Sequence, residues 1–187
     1  MNSAVKLTST DFRGIITPRF FKNFLPLPAL NRFRIGQLLP DFELPVVGQR
    51  ASIKLSSYRN KAIVVIAFTR IFTEKQYCPF CYPYLVSIAK AYKQFEQIGA
   101  QVLIVTSTDM RQSNIVHQDL GLTMPLLVDP SCRTFRQYGT GQALGAPLPA
   151  QFVIDRSGRL RFQHLFSFAH TNASSERLFW AAQSANL

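Results

Sequence analysis

The sequence predicts an α/β fold in which one central mixed β-sheet is flanked by helices, and three observations support this prediction. Residues 62–68 are an unbroken apolar run, and residues 102–106 repeat this pattern up to Thr106; such runs are typical of strands buried on both faces of a sheet. A helical pattern at 79–97 separates them, so the three segments form a strand–helix–strand crossover with parallel strands. The turn signature at 155–158 joins two further strand-like segments and indicates an antiparallel hairpin.

The first elements of the predicted domain are short. Residues 36–42 form an entry turn, and residues 53–55 alternate as a strand that ends at Ser56-Ser57. The helix predicted at 79–97 carries apolar residues at steps of three and four, and Gly99 supplies its stop signal.

The later elements follow after the second apolar run. Ser174 and Ser175 are the candidate caps of the last helix, which turns Leu178, Phe179 and Ala182 inward. The predicted elements are a helix at 111–120 ending at Gly121, an extended piece at 126–128, a short helix at 133–138 stopped by Gly139, hairpin strands at 151–154 and 159–164, and a final helix at about 174–184.

Residues 1–34 differ in composition from the rest of the chain and are predicted to form a basic, aromatic N-terminal arm. An Arg-rich, acid-poor segment is compatible with a transit peptide, but its prolines and phenylalanines favour an arm that packs against the domain or a partner. Residues 35–187 are then one domain, because 187 residues are too few for two ordinary ones. The charged residues of the arm are Lys6, Arg13, Arg19, Lys22, Arg32 and Arg34 against Asp11 alone.

Composition narrows the functional class. The formal charge of +11 is compatible with an anionic partner, but the basic residues are scattered and no nucleic-acid motif accompanies them, so a nucleic-acid role is disfavoured. No apolar run reaches the length of a membrane span, and the N-terminus lacks a secretory signal. Three cysteines do not form the framework of a secreted disulfide-rich protein. We expect a reducing compartment, either the cytoplasm or, if residues 1–34 are a transit segment, the plastid stroma.

The sequence Cys78-Pro79-Phe80-Cys81 places two thiols at the predicted strand-to-helix junction. Unpaired N–H groups and the helix dipole favour a thiolate there, and thiolate is the form that attacks disulfides and peroxides. A redox pair requires an exposed thiol of low pKa, predicted to be Cys78, and a more buried resolving thiol, predicted to be Cys81. Pro79 has no N–H to leave unpaired in the first helical turn.

Other interpretations of these cysteines are weaker. Half of a zinc site has the same spacing, but zinc needs two more ligands, and no tight ligand spacing supplies them, so no metal is expected. Two buried, inert thiols are disfavoured at a polar junction. Cys132 has either no functional role or the role of an extra resolving thiol, with its pKa lowered by Arg133. We favour the first interpretation. The remaining candidate metal ligands are Cys132, His117, His164 and His170.

The chain resembles the thioredoxin-fold superfamily and, within it, the redoxin branch that contains the alkyl hydroperoxide reductase/thiol-specific antioxidant proteins, or peroxiredoxins. The resemblance spans residues 35–187 and implies a thioredoxin-like fold. It rests on the segments at 36–44, 55–58, 63–68, 77–81, 128–130 and 152–155.

The resemblance implies two possible reactions, disulfide reduction as in thioredoxin-like reductases and peroxide reduction as in peroxiredoxins. In thioredoxin-like reductases a cis-proline before the late strand lies beside the reactive sulfur and helps hold the substrate, and Pro149 matches it. Tyr77 stands where tryptophan is usual, and the resemblance implies that Pro149, Tyr77 and Pro79 position the substrate. Peroxiredoxins instead need a threonine three residues before the reactive cysteine and an arginine near the late strand. Lys75 occupies the first position, Thr73 is two residues further upstream, and Pro149 occupies the second.

We therefore predict a thiol-disulfide oxidoreductase that uses Cys78 and Cys81 and holds no cofactor. Its partners are a protein disulfide or hydroperoxide substrate and an external thiol reductant, either a thioredoxin-like protein or glutathione. One alternative is a thiol peroxidase that passes through a sulfenic acid on Cys78. The other is a redox-inactive scaffold whose basic arm docks a partner.

Overall fold

The computed structural model describes residues 14–185. Its strands are β1 (Glu43–Pro45), β2 (Ser52–Lys54), β3 (Ile63–Thr69), β4 (Ile71–Thr73), β5 (Gln76–Tyr77), β6 (Ala100–Thr106), β7 (Leu126–Val128), β8 (Gln142–Ala143), β9 (Ala146–Pro147), β10 (Ala150–Ile154) and β11 (Leu160–Leu165). Its helices are α1 (Pro18–Lys22), α2 (Cys81–Gln97), α3 (Met110–Leu120), α4 (Arg133–Gln137) and α5 (Ser175–Ser184).

Five strands form the central sheet in the order β11-β10-β3-β6-β7. β3 pairs in parallel with β6, and β6 with β7, while β10 is antiparallel to both β3 and β11. The predicted mixed sheet, with its crossover and its hairpin, is confirmed. The register sets Ala150 opposite Phe68, so the start of β10 lies beside the end of β3.

The central strand β3 is buried at all seven positions, as its apolar run predicted. Alternate side chains enter opposite cores, because successive residues of a strand point to opposite faces. Val65 and Ala67 pack with the residues of α2 and α5, whereas Ile66 and Phe68 enter an aromatic core on the other face. β3 therefore gives rigid support to residues 70–80, which lead from its end to α2 and include Cys78.

The helix ends follow local capping chemistry. Asp109 caps α3 by accepting a hydrogen bond from the Gln112 N–H at 2.7 Å, and Ser174 caps α5 in the same way. Gly121 ends α3 in the left-handed conformation, with φ of 56°, where glycine has no steric penalty. Among the described helices, none combines the length and apolar composition needed to cross a membrane.

Sequence reasoning missed the strand β1, the hairpins β4–β5 and β8–β9, and the helix α1. The β4–β5 and β8–β9 pairs have strands of only two or three residues, and α1 has five, so none shows a measurable periodicity. The two hairpins and α1 lie around the segment that carries Cys78 and Cys81.

The described part of the N-terminal arm, residues 14–34, contacts the domain. Phe33 is buried and packs against Tyr138, with ring centroids 5.7 Å apart, and Leu27 forms an isolated β-bridge with Gln142. Residues 1–13 of the predicted arm lie outside the described residues. The division between arm and domain at residue 35 stays a prediction.

Candidate active site

The cysteine pair lies in a tight turn between the β4–β5 hairpin and α2. The Cys78 N–H donates to the Arg70 carbonyl at 3.4 Å, which ties the end of the hairpin to the end of β3. The Cys78 carbonyl accepts from the Cys81 N–H at 2.9 Å and from the Tyr82 N–H at 3.2 Å. This turn brings the two cysteines to the N-terminus of α2.

The turn corrects the predicted start of the helix. α2 begins at Cys81, two residues later than the predicted residue 79, so Pro79 does not occupy its first turn. Pro79 is instead the second residue of the four-residue turn from Cys78 to Cys81, where proline is favoured because its φ is already set. Phe80 follows with φ of −85° and ψ of −23° and is 65% exposed.

The predicted exposure of Cys78 was wrong. Its side chain is only 5% exposed, and Cys81 is fully buried, although both are free thiols. Sequence reasoning placed the junction in solvent, but the missed hairpin β4–β5 and the loop that carries Asn172 pack around it.

The two sulfurs have opposite protonation preferences. The S–H of Cys81 donates to the Cys78 sulfur, and this lowers the pKa of Cys78 to about 6 against the opposing effect of burial. The N–H groups of Phe80 and Cys81 and the charge of Arg70 lower it further. The same hydrogen bond to Cys78, followed by burial, raises the pKa of Cys81. At neutral pH the pair is therefore a thiolate at Cys78 and a thiol at Cys81.

Sequence reasoning missed Arg70, which supplies the positive charge near Cys78. Its guanidinium donates to the Ala143 carbonyl and lies over the Phe72 ring, 4.7 Å from the centroid. Burial lowers the pKa of Arg70, while Cys78 and Cys81 raise it. Arg70 is the only charged residue in the stretch from 62 to 73, and this was the signal that the sequence offered.

Asn172 is the second missed residue. Its side-chain N–H donates to the Phe80 carbonyl at 3.2 Å, and its oxygen accepts from the Gln151 side chain at 2.8 Å. A side-chain hydrogen bond from Asn172 also acts to lower the pKa of Cys81, against the larger effects that raise it. Nothing in the local sequence near Asn172 indicated a contact with a turn some ninety residues earlier.

Tyr77, next to Cys78, and Pro149, which directly precedes β10, are both buried. The predicted cis peptide bond before Pro149 was wrong: the bond is trans. Leu148 bonds back to the Gly141 carbonyl at 3.0 Å as it leaves the β8–β9 hairpin, and the chain then enters β10 in the isomer that X-Pro bonds ordinarily prefer. Tyr77 packs edge-on against Tyr82 at 5.5 Å, and burial raises the pKa of its hydroxyl.

The remaining candidates lie in other surroundings. The Thr73 hydroxyl accepts from the Lys75 N–H at 3.2 Å within the hairpin turn. Cys132 is buried, and burial raises its pKa; the cations that lower it are Arg19 and Arg136 rather than the predicted Arg133. Across residues 14–185, no group of three or more His, Cys, Asp and Glu side chains is arranged to hold a metal ion.

Alkylation of Cys78 is expected to show a half-maximal rate at about pH 6. Thiolate is the reactive form, so the rate rises as pH increases through the pKa of Cys78 and reaches its plateau about two units higher. The measurement is the rate of carbamidomethylation by iodoacetamide from pH 4.5 to 8.5 in a Cys132→Ser protein, with the modified residue identified by mass spectrometry. A midpoint near the value of an ordinary cysteine, about 8.5, would contradict the described pair.

Comparison with known proteins gives a consistent set of similarities. A sequence model of the AhpC/TSA family matches residues 35–163. Peroxiredoxin tpx1 of Schizosaccharomyces pombe is 32% identical over 139 residues, covering 68% of this chain and 69% of the relative. The thiol-disulfide oxidoreductase ResA of Geobacillus thermodenitrificans is 24% identical over 128 residues, covering 68% and 67%.

A solved structure shows the same fold. The reduced 2-Cys peroxiredoxin of Plasmodium vivax superposes with a TM-score of 0.70 at 16% identity, covering 81% of this chain and 83% of that one. The predicted thioredoxin-like fold and the resemblance to peroxiredoxins are confirmed.

Proposed function

Since the chain belongs to the AhpC/TSA family and is an oxidoreductase, we propose that Cys78 and Cys81 form its redox-active pair and reduce disulfide bonds. The observation that carries this proposal is the tight turn that holds both cysteines at the N-terminus of α2, where the Cys81 N–H donates to the Cys78 carbonyl at 2.9 Å. In this turn the pKa of Cys78 is lowered and that of Cys81 is raised. An attacking thiol must be ionised, and a resolving thiol must stay protonated until it is needed.

The reaction has two exchange steps. The Cys78 thiolate attacks one sulfur of the substrate disulfide, which forms a mixed disulfide and releases the other sulfur as a thiolate that takes up a proton. Once the Cys78 sulfur is bonded, it no longer holds the negative charge that raised the pKa of Cys81. Cys81 then loses its proton and attacks Cys78, releasing the second substrate thiol and leaving the intramolecular disulfide.

An external reductant must return the pair to two thiols. A thioredoxin-like protein or glutathione supplies the two electrons by the same exchange chemistry, and such a donor requires a reducing compartment. Of the proposed substrate-positioning residues, Pro79 is exposed in the turn, while Tyr77 and Pro149 are buried. The substrate therefore approaches Cys78 from the side of Pro79 and Phe80.

Hydroperoxide reduction is a second candidate, favoured by the cation that Arg70 places near an ionised sulfur. The thiolate attacks the terminal oxygen and the O–O bond breaks, so Cys78 becomes a sulfenic acid. The alkoxide that leaves takes up a proton and becomes an alcohol. Cys81 then condenses with the sulfenic acid and releases water, and the product is the same intramolecular disulfide.

A trapping experiment separates these candidates. In a Cys81→Ser/Cys132→Ser protein the first step has no resolving thiol, and the hydroxyl introduced in place of the Cys81 thiol still donates to the Cys78 sulfur. Challenge with a peptide disulfide is expected to leave a stable mixed disulfide on Cys78, detected by intact mass and peptide mapping. A sulfenic acid after hydrogen peroxide, without a mixed disulfide, would support the peroxidase instead. No adduct with either oxidant would overturn both and favour a redox-inactive scaffold.

A further inference from the structure

The N-terminal arm contacts the strand that leads into the cysteine turn. Arg19 of α1 donates to the Ile71 carbonyl at 3.2 Å, to the Ser107 hydroxyl at 2.9 Å, and to the Phe72 carbonyl. Ile71 and Phe72 belong to β4, and Ser107 follows β6, so one guanidinium links the hairpin before Cys78 to the end of the central sheet. Arg19 is therefore a connection between the arm and the site.

The arm also holds the β8–β9 hairpin. The Gly145 N–H donates to the Asn23 carbonyl at 3.0 Å, and the Leu144 N–H donates to the Phe24 carbonyl at 3.1 Å. Leu27 and Gln142 exchange two backbone hydrogen bonds of 2.8 and 2.9 Å, so the arm is bonded to residues on both sides of Ala143.

Arg70 lies between these two segments. Its guanidinium donates to the Ala143 carbonyl of the β8–β9 hairpin and lies over the Phe72 ring of β4. Both contacts belong to segments that the arm fixes by hydrogen bonds. The Arg70 Nε atom is buried without a hydrogen-bond partner among the described residues, so its hydrogen bond to Ala143 and its contact with Phe72 contribute to the orientation of the guanidinium.

Arg70 is adjacent to Cys78 in the fold, because the Cys78 N–H donates to the Arg70 carbonyl at 3.4 Å, and its positive charge acts to lower the pKa of Cys78. The other groups that face this sulfur are the Cys81 thiol and the N–H groups of Phe80 and Cys81, all from the start of α2. The backbone N–H of Arg70 and the side chain of Asn172, in the loop before α5, bond to Cys81. A half-buried cation stabilises a nearby thiolate more than a surface cation does, because less water screens the interaction.

We propose that Arg70 is a positioning residue that keeps Cys78 reactive, and that the N-terminal arm, through Arg19, sets the orientation of Arg70. The inference deepens the proposed function, because it rests on Cys78 as the attacking thiol. If Arg19 acts in this way, the active site includes a residue that precedes the range 35–163 matched by the AhpC/TSA family model.

The experiment compares the pH profile of Cys78 alkylation in matched variants, all carrying Cys132→Ser. Arg70→Gln is expected to raise the midpoint by about one pH unit, which at pH 6 lowers the alkylation rate about fivefold. Arg70→Lys keeps the charge and recovers part of this loss. Arg19→Gln shifts the midpoint in the same direction by a smaller amount. The controls Lys22→Gln, on the same helix, and Arg50→Gln, in an exposed turn, remove the same charge and leave the midpoint unchanged.

A double variant tests whether Arg19 acts through Arg70. If it does, Arg19→Gln adds no further shift in the Arg70→Gln background, because coupled residues are not additive. An additive shift, or an unchanged midpoint in Arg70→Gln protein that retains its far-ultraviolet circular dichroism, would overturn the proposal. If Arg70→Gln does not fold, an unchanged midpoint in Arg19→Gln overturns it.

The alkylation experiment tests the role of Arg70 independently of the proposed disulfide reductase activity. It requires neither a substrate disulfide nor a resolving thiol. Failure to trap a mixed disulfide, together with the expected alkylation shifts, would overturn the disulfide reductase alone. Successful trapping with no shift would overturn the role of Arg70 and the arm alone.

Discussion

Replacing Cys78 by serine is expected to abolish disulfide reduction, with a loss of rate of roughly a thousandfold or more. A serine hydroxyl is not ionised at neutral pH, whereas the lowered pKa of Cys78 keeps its sulfur largely a thiolate. Neither remaining cysteine replaces it, because burial raises the pKa of Cys132, and Cys81 is fully buried. The measurement is the reduction of insulin disulfides with dithiothreitol as the electron donor.

Cys132→Ser is the matched control for this variant. It also removes one buried thiol, but from a position where the sulfur contacts Asn23 at 3.7 Å. The rate of insulin reduction should stay within about twofold of the wild-type rate, since this sulfur takes no part in the proposed exchange steps. Full activity in Cys78→Ser protein, or its loss in Cys132→Ser protein, would contradict the assignment of the redox-active pair.

The sheet was predictable because its strands are buried on both faces. An apolar run such as β3 is stable only when buried, and its seven residues, four of them Ile or Val, suit a strand rather than a helix. The 3.6-residue pattern of α2 then predicts the crossover between β3 and β6. The hairpins β4–β5 and β8–β9 left no such signal, because they are held by contacts to distant segments and not by their own periodicity.

The site was predictable only in part, for the same physical reason. The spacing of Cys78 and Cys81 indicated a redox pair, but the burial of the turn depends on what packs over it. The cover comes from the short hairpin β4–β5 and from the distant loop that carries Asn172. Arg70 donates to a carbonyl 73 residues later, and Asn172 bonds to a carbonyl 92 residues earlier. A local pattern cannot report contacts of this range.

These distant contacts also limit what the family resemblance conveys about this protein. The matched range ends at residue 163, whereas Asn172 lies beyond it and Arg19 lies before it. Relatives that share the matched range therefore need not share the groups that tune the two sulfurs. The tuning of Cys78 in this chain has to be measured with the arm and the last helix present.

Replacing Phe68 by alanine is expected to lower the free energy of unfolding by about 3–5 kcal/mol. Phe68 is fully buried at the end of β3 and packs against three rings, with centroids 4.9 Å from Phe135, 5.1 Å from Tyr138 and 5.9 Å from Phe152. Truncation removes these contacts and leaves a cavity that rigid neighbouring rings cannot fill. The measurement is urea denaturation followed by circular dichroism.

Phe21→Ala is the matched control, because the Phe21 side chain is 69% exposed and its loss should change the free energy of unfolding by less than about 0.5 kcal/mol. Phe68 stands two residues before Arg70, so the cavity should also loosen the support of the guanidinium near Cys78. The alkylation midpoint of folded Phe68→Ala protein should then move upward, in the direction expected for Arg70→Gln. A loss of less than about 1 kcal/mol would show that the aromatic core closes around the missing ring, and the midpoint should then stay where it is.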